Sequence, residues 1–355
     1  MRSLATLHLA LLFVFTGCAS QPQPELPVPT LDFLATTIIP SEHESLGTIG
    51  GLSGLTWTGE HFVAVSDHNE RPMLYELALT LSSGVGGDIR GGDRAYDLDV
   101  TVMREIHLDH PAADAEGVVY DPNTGAWYIG YELPATVARL GSDPITFPLP
   151  DDVRAGVRPN RSFESVTLRP NPHFGRPTEL WAATETAITS DGEEATEAEG
   201  TLCRVLVWNP RTARLLRQYS YRTDPRPGGI PLRQSINSLV EFTTLPDGRL
   251  LALERSLSAP AGYGARIFLI PGDSFEKSTA PFPVLSKRFL YDLSEVPLIS
   301  IGNIEGMVVG PPIAELTNDP REPGRLLLLI ADDNFGRDIQ RGSRVIALRI
   351  TDLPD

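Results

Sequence analysis

The chain of 355 residues carries 46 acidic and 30 basic residues, which gives a formal net charge of −16 and a pI near 4.9. Because phosphate backbones bind to basic surfaces, this balance argues against a nucleic-acid partner and favours cations. The length exceeds that of most single cores, yet repeat-built β domains reach it as one unit. We therefore expect one domain behind an N-terminal leader.

Residues 1–18 read as a leader, with a basic Arg2, an apolar segment from Leu7 to Phe15 and a cysteine at the end. The apolar segment is too short for a membrane-spanning helix. The sequence FTGC at residues 15–18 resembles a bacterial lipobox, which implies lipidation of Cys18 and a place in the cell envelope, periplasmic or at the outer membrane. The alternative is an ordinary secretory signal cut just beyond Ser20, which would make the protein secreted.

Residues 19–30 (ASQPQPELPVPT) contain four prolines and predict an extended tether between the leader and the domain, residues 31–355. Beside Cys18, Cys203 is the only cysteine, so no disulfide is expected within the domain. Cys203 lies in the apolar run 202–208, which predicts a buried structural thiol. Stability must then come from packing or from bound ions.

A couplet of apolar strands with polar ends recurs five times after a lone first strand at residues 31–40. Each copy opens on a polar residue, turns, and returns to an acidic residue. Measured at the opening residue, the intervals are 63, 48, 73 and 68 residues, a spacing typical of propeller blades with loop insertions. The opening residues are Ser53, Glu116, Glu164, Asn237 and Glu305.

This strand count predicts an all-β fold, a single β-propeller of five blades, or of six if an insertion hides a degenerate blade. After the fifth couplet only one strand remains, residues 344–350, while residues 31–40 have no partner. A propeller closes its ring by pairing such ends, so the N-terminal strand should complete the fifth blade. We also expect outer strands at residues 145–149 and 284–290, and a solvated, mobile loop at the acidic residues 191–199.

In such a blade the first two strands run antiparallel, so the two polar ends of each couplet meet at one rim of the channel. The predicted pairs are Ser53 with Asp67, Glu116 with Glu132, Glu164 with Glu185, Asn237 with Glu254, and Glu305 with Asp332. Carboxylates gathered in a narrow channel repel one another by some kcal/mol per close pair. Protonation, arginines such as Arg161 or Arg255, or bound cations would offset that repulsion, and an all-oxygen ligand set suits Ca²⁺.

Several of these segments together resemble the phytase-like propeller family, named for esterase-like activity of phytase. They are GGLSGLTW with VSD, RPNRSFE at residues 158–164, LALER at residues 251–255, and NIEGM with ADDNF. The resemblance covers residues 50–350 and implies a β-propeller and metal-dependent hydrolysis of phosphate or other esters. The chain departs from the family pattern at Ser165, where a glycine is expected, and at residues 236–238, where a Gly-Asp type of pair usually stands.

The predicted site combines metal ligands with groups for hydrolysis. The predicted metal ligands are Asp67, Glu116, Glu164, Glu305 and Asp332. Glu305 and Asp332 also count as catalytic because they would share the cation, while Arg161 would steady developing charge and His68 is the candidate general base.

The expected substrate is a small anionic ester, and the only expected membrane contact is through the lipid anchor. The sequence contains no GxSxG elbow and no HExxH motif, which argues against a serine hydrolase and a zinc peptidase. The alternative function is a non-catalytic propeller that binds a ligand or a protein at the same rim, with a cation that serves stability.

Overall fold

The computed structural model describes residues 26–68, 72–83, 96–170, 178–229, 235–259, 261–275, 282–298, 300–336 and 342–354. The chain begins with strand β1 (Thr30–Ile39), followed by a short hairpin of β2 (Glu42–His43) and β3 (Gly47–Thr48). The predicted leader and most of the tether, Cys18 included, lie outside these ranges.

Four blades follow, each an antiparallel sheet of four strands in chain order. The first holds β4 (Leu52–Trp57), β5 (Phe62–Ser66), β6 (Met73–Ser83) and β7 (Tyr96–His107). The second holds β8 (Ala113–Asp121), β9 (Ala126–Leu133), β10 (Ala135–Leu140) and β11 (Ile145–Thr146), and helix α1 (Asp151–Gly156) comes after it. The third holds β12 (Phe163–Arg169), β13 (Glu179–Thr184), β14 (Leu202–Trp208) and β15 (Leu215–Arg222). The fourth holds β16 (Ile236–Thr244), β17 (Leu250–Ser258), β18 (Gly262–Ile270) and β19 (Arg288–Asp292).

The fifth blade joins the two ends of the domain. It consists of β20 (Asn303–Pro312), β21 (Arg325–Asp332), β22 (Ser343–Thr351) and β1, with helix α2 (Ile313–Thr317) after β20. Strand β1 runs antiparallel to β22, with Thr30 opposite Thr351 and Ile39 opposite Ser343. The described residues thus form five blades, and the predicted closure by the N-terminal strand is confirmed.

Within the described ranges the core consists of five apolar clusters, one between each pair of neighbouring blades. Strand β7 shows why such strands form at the edge of a blade. Its residues alternate between buried Tyr96, Leu98, Val100 and Val102 and exposed polar neighbours, which is the period of a sheet with one dry face. Strands in the middle of a blade, such as β13, are buried throughout, because neighbouring blades cover both of their faces.

Each of the five inner strands contains a β-bulge near its start. The residue that the ladder skips is Glu116 in β8, Glu164 in β12 and Glu305 in β20. A bulge re-aims a side chain, so these three glutamates turn into the mouth of the channel. In β16 the skipped residue is Val240, three positions beyond Asn237, so Asn237 does not occupy the equivalent place.

The glycine after two of these glutamates allows neighbouring inner strands to approach closely. A Cβ atom on Gly306 would lie 2.3 Å from the Ser53 carbonyl oxygen, and one on Gly117 would lie 2.6 Å from that of Glu164. In the third blade Ser165 replaces the glycine, and its hydroxyl accepts a hydrogen bond from the Phe242 amide at 2.7 Å.

Some local predictions were wrong. The last strand of the fourth blade is β19, beginning at Arg288 rather than at residue 284, and β11 has two residues rather than five. The acidic segment 191–199 is a mostly exposed loop, as predicted, and each of its five acids also pairs with an arginine. The pairs are Asp191 with Arg204, Glu193 with Arg158, Glu194 with Arg161, Glu197 with Arg226, and Glu199 with Arg222.

Cys203 is a free, fully buried thiol, as predicted. Among the described residues, no helix combines the length and the apolar character that a membrane crossing requires.

Candidate metal and active site

A cavity of about 990 Å³ opens at the rim where the inner strands begin. Its lining includes every residue for which the sequence predicted a catalytic or metal-binding role. These are Asp67, His68, Glu116, Arg161, Glu164, Glu305 and Asp332. The structure therefore brings the predicted residues together at one rim, while their individual roles stay predictions.

Three carboxylates from the first two blades form what we call the outer triad: Asp67, Asp114 and Glu116. One ligand oxygen from each lies within 4.8 Å of the others, and all three side chains line the cavity. Asp67 follows the end of β5, and its Oδ1 atom is buried without a hydrogen-bond partner. Glu116 reaches the site through the bulge in β8, and Asp114 adopts a left-handed backbone conformation with φ of 60°.

The outer triad disfavours three simultaneous negative charges. Burial first, and then the charge of Glu305, raises the pKa of Asp67 to about 8. Burial followed by the charges of Glu164 and Glu305 raises the pKa of Glu116 well above its usual range, and burial raises the pKa of Asp114. With its pKa raised to about 8, Asp67 would hold a proton near neutral pH unless a cation replaced it.

A second set, the inner triad, consists of Glu132, Glu164 and Glu185. One oxygen from each again lies within 4.8 Å of the others, and the side chains are almost completely buried. Burial and then the charge of Glu185 raise the pKa of Glu132 to about 8 and the pKa of Glu164 well above its usual range. Of these three, only Glu164 lines the cavity.

Two arginines supply the positive side of the cavity. Arg255 lies 2.6 Å from Glu185 Oε1, contacts Glu305 Oε1 through its Nη1 atom, and donates to Asn303 Oδ1 at 2.9 Å. Arg161 lies 3.1 Å from Glu185 Oε2. Burial alone would lower the pKa of Arg255, but the charges of Glu305 and Glu185 raise it, so the guanidinium stays charged.

Glu305 and Asp332 lie outside both triads. Oε1 of Glu305 accepts hydrogen bonds from Arg255 and from Asn303, the latter at 2.8 Å, which leaves Oε2 for a ligand. Asp332 accepts a hydrogen bond from the Asn334 amide at 2.8 Å. Burial, and then the charges of Glu305 and Asp67, raise the pKa of Asp332 well above its usual range. Their proximity is consistent with a shared cation, which stays a prediction.

The half-buried His68 ring stands edge-on to the Phe335 ring, with 5.4 Å between the ring centres. Both residues line the cavity, so an imidazole is present beside the outer triad. Its role as a general base stays a prediction.

Comparison with known proteins settles the family. The description "Phytase-like: esterase-like activity of phytase" matches residues 47–335, most of the chain. The protein belongs to the phytase-like family. No curated protein matches this phytase-like chain.

Three solved structures share a distant likeness with this phytase-like domain. The α-L-arabinofuranosidase PaAbf62A from Podospora anserina, in complex with cellotriose, has a TM-score of 0.46 at 10% identity, with 92% of this chain and 98% of that one covered. The Cps50 (Swd1) β-propeller domain of Myceliophteria thermophila has 0.37 at 11% identity, covering 89% and 95%. The Dos1 propeller has 0.37 at 8% identity, covering 85% and 69%. Likeness at this level carries no argument about activity.

The phytase-like chain offers a donor set that fits a hard divalent cation. Carboxylate oxygens are the ligands that Ca²⁺ prefers, and the outer triad presents three of them to an open cavity. The buried Asp67 Oδ1 lacks a hydrogen-bond partner, although buried polar atoms in proteins are nearly always paired. A cation bound by Asp67, Asp114 and Glu116 would satisfy that oxygen and offset their repulsion.

The fourth blade does not deliver its predicted polar pair to the cavity. Asn237 does donate to Glu254 Oε2 at 2.9 Å, as the couplet predicted. Glu254, however, is also engaged by Tyr221, at 2.7 Å, and by Lys287, and neither Asn237 nor Glu254 lines the cavity. The charged residue that this blade contributes to the cavity lining is Arg255, the next residue along β17.

Sequence reasoning did not assign Asp114 as a ligand and did not divide the acids into two triads. Asp114 stands two residues before Glu116, and in an extended strand that spacing places both side chains on one face. This period-two signal was present in the sequence. The division into triads was not, because it depends on how neighbouring blades meet.

Proposed function

We propose that this phytase-like protein is a divalent-metal-dependent hydrolase of phosphate or other anionic esters, anchored by lipid in the bacterial cell envelope. The observation that carries the proposal is the division of charge within one cavity. Carboxylates of the outer triad face it from the first two blades, and Arg161 and Arg255 face it from the third and fourth. Family membership supports a hydrolase-type propeller.

In this proposal the outer triad holds the cation, and Ca²⁺ fits the all-oxygen donor set best. A bound divalent cation supplies Lewis-acid activation of an ester and of water. Arg161 and Arg255 attract the anionic part of the substrate through their positive charge and stabilise charge that develops on it. His68 accepts a proton at its imidazole nitrogen, and Glu305 and Asp332 hold the cation from the side of the fifth blade.

The cavity volume favours a small substrate. About 990 Å³ lies at the upper end of the range for small-molecule sites. The net charge of −16 repels polyanionic nucleic acids, whereas a compact anionic ester would meet two arginines and a cation inside the cavity.

The leader sequence supports a location at the membrane surface. Lipidation of Cys18 would anchor the chain through the proline-rich residues 19–30, whereas cleavage beyond Ser20 would remove Cys18 and release the protein. Mass spectrometry of protein from a bacterial membrane fraction tests this. A diacylglycerol-modified Cys18 supports the anchor, and a soluble chain that begins beyond Ser20 contradicts it.

The activity is tested with a panel of phosphomonoesters, phytate and simple carboxyl esters, in Ca²⁺ and after chelation. We expect metal-dependent turnover that falls at least 100-fold in Asp114→Asn and in Glu305→Gln. The matched control is Glu241→Gln, which changes a carboxyl that is fully buried and outside the cavity lining. Turnover that survives chelation and both site variants contradicts the proposal.

The alternative is a binding propeller whose cation serves stability alone. The observation in its favour is that Glu132 and Glu185 carry carboxylates that the cavity does not reach. No turnover on any ester, together with a large drop in melting temperature on chelation, would favour this alternative.

A further inference from the structure

We infer that the inner triad, Glu132, Glu164 and Glu185, is a second divalent-cation site, which fastens the second blade to the third. This inference goes beyond the proposed hydrolase and shares with it only the choice of a hard divalent cation. It assigns a different position and a different role to the second ion.

The first support is the convergence of buried oxygens. Glu132, Glu164 and Glu185 are 4%, 6% and 0% exposed, and one oxygen of each lies within 4.8 Å of the other two. Ionising three buried carboxyl groups this close together is unfavourable unless positive charge lies nearby, because the protein interior screens their repulsion weakly.

The second support is independent of that clustering. Glu132 Oε2 and Glu164 Oε2 are both buried without a hydrogen-bond partner. Glu132 Oε1 accepts a hydrogen bond from the Ser162 amide, which fixes the orientation of the side chain. Only Oε2 is without a partner. Where three carboxylates converge, an unsatisfied buried oxygen on an oriented side chain indicates an open position for a metal ligand. Glu241 also has one such oxygen, but it belongs to no cluster of acids among the described residues.

The nearby Glu254 shows what a buried glutamate without a metal looks like in this fold. Its Oε1 accepts from Tyr221 and Lys287, and its Oε2 accepts from the Asp224 amide at 2.8 Å and from Asn237 at 2.9 Å. Both of its oxygens are therefore satisfied by the protein itself, in contrast with Glu132 and Glu164.

The arginines of the site neutralise the inner triad only in part, through Glu185. Arg161 and Arg255 both contact Glu185, and Ser238 donates to the same carboxylate at 2.8 Å. Arg255 also forms an ion pair with Glu305. Glu132 and Glu164 feel these arginines only at a distance, and neither forms a direct ion pair in the part of the chain that the structure describes. A divalent cation between them would supply the missing direct contact.

The position of the inner triad assigns its role. Glu132 is in β9 of the second blade, Glu164 is in β12 of the third, and Glu185 directly follows β13. Glu132 and Glu185 do not line the cavity, so an ion held by them sits behind its wall. Such an ion crosslinks two blades, and it fixes Glu185, which in turn positions Arg161 and Arg255.

The test counts ions in the full chain. Cation-free protein is dialysed to equilibrium against Ca²⁺, and bound calcium is measured by elemental analysis. We expect two ions per chain in the wild type and one ion in Glu132→Gln and in Glu164→Gln. Glutamine at position 132 keeps an acceptor for the Ser162 amide, which protects against a simple folding defect. The control Glu241→Gln should bind two ions.

The same variants separate this inference from the proposed function. A wild type that binds one ion, lost in Asp114→Asn and still needed for turnover, overturns the inner site and leaves the hydrolase intact. Two bound ions without turnover on any ester support the inner site and contradict the hydrolase. Retention of two ions in both Glu132→Gln and Glu164→Gln overturns the inference, and protons on these carboxyls would then be the explanation.

Discussion

In the cation-free protein, Glu132 makes stability depend on pH in a direction that opposes ordinary acid denaturation. Its pKa rises from 4.5 to about 8 on folding, chiefly through burial and then through the charge of Glu185. Between these values the folded protein binds a proton that the unfolded chain has released. Stability from this group is therefore complete below about pH 4.5 and is lost as the pH rises towards 8.

The size of the effect follows from linkage. Each pH unit in this window removes about 1.4 kcal/mol for one such group, so raising the pH from 5 to 7 removes about 2.7 kcal/mol. For a domain of this length, an unfolding entropy of about 2.1 cal/mol/K per residue converts that loss into a fall in melting temperature of about 4 °C. Asp67 changes stability in the same direction, because its pKa is also raised to about 8.

The assay is thermal unfolding of desalted, cation-free protein at pH 5, 6 and 7, with Glu132→Gln as the matched variant. Glutamine cannot ionise, so the variant should lose about 4 °C less than the wild type over this range. Ca²⁺ should flatten the wild-type dependence, since it binds the ionised carboxylates. Equal slopes in the two proteins, or a wild-type melting temperature that rises with pH, would refute the reasoning.

Three further predictions concern stability. Replacing Arg255 by Met leaves Glu185 and Glu305 without their shared partner and should cost about 3–5 kcal/mol in denaturant unfolding, whereas an unchanged midpoint would contradict the ion-pair network. Gly306→Ala places a Cβ atom 2.3 Å from a backbone carbonyl and should destabilise by about 1–3 kcal/mol, while Gly272→Ala, which meets no atom within 4 Å, should be nearly neutral in the same assay. Deleting residues 1–39 removes β1 and exposes the edge of β22, so light scattering should detect aggregation that deletion of residues 1–25 does not cause.

The fold could be predicted because its signals are local and repeated. Alternation of apolar residues marks the strands, and each couplet returns to an acid. The strand count alone then required residues 31–40 to pair near residue 344, and the structure confirms this with Ile38 opposite Arg344. Because the same strand pattern occurs five times, the predicted topology does not depend on any one strand whose apolar pattern is weak.

The side-chain contacts within the site could not be predicted in the same way. The β16 bulge falls on Val240, and its neighbour Glu241 takes the position that glycine holds in the second and fifth blades. The surroundings of a bulge include contacts between neighbouring blades, such as the 3.1 Å hydrogen bond from Ser165 to Glu241, which join residues far apart in sequence. For the same reason the sequence did not show that Glu254 is drawn away from the cavity by Lys287.

The pairing of β1 also determines how an anchored molecule would face. Asp332 ends β21 at the cavity rim, while Arg325 starts that strand opposite Ile350, at the far rim. Because Thr30 pairs with Thr351, the tether enters the domain at the far rim. A lipid on Cys18 would therefore hold the propeller by the side away from the cavity. Because Arg249 already binds the Pro27 carbonyl, the free part of the tether is residues 19–26, which span about 25 Å when extended. The acidic mouth would point into the aqueous compartment, towards dissolved esters rather than towards lipids of the anchoring membrane.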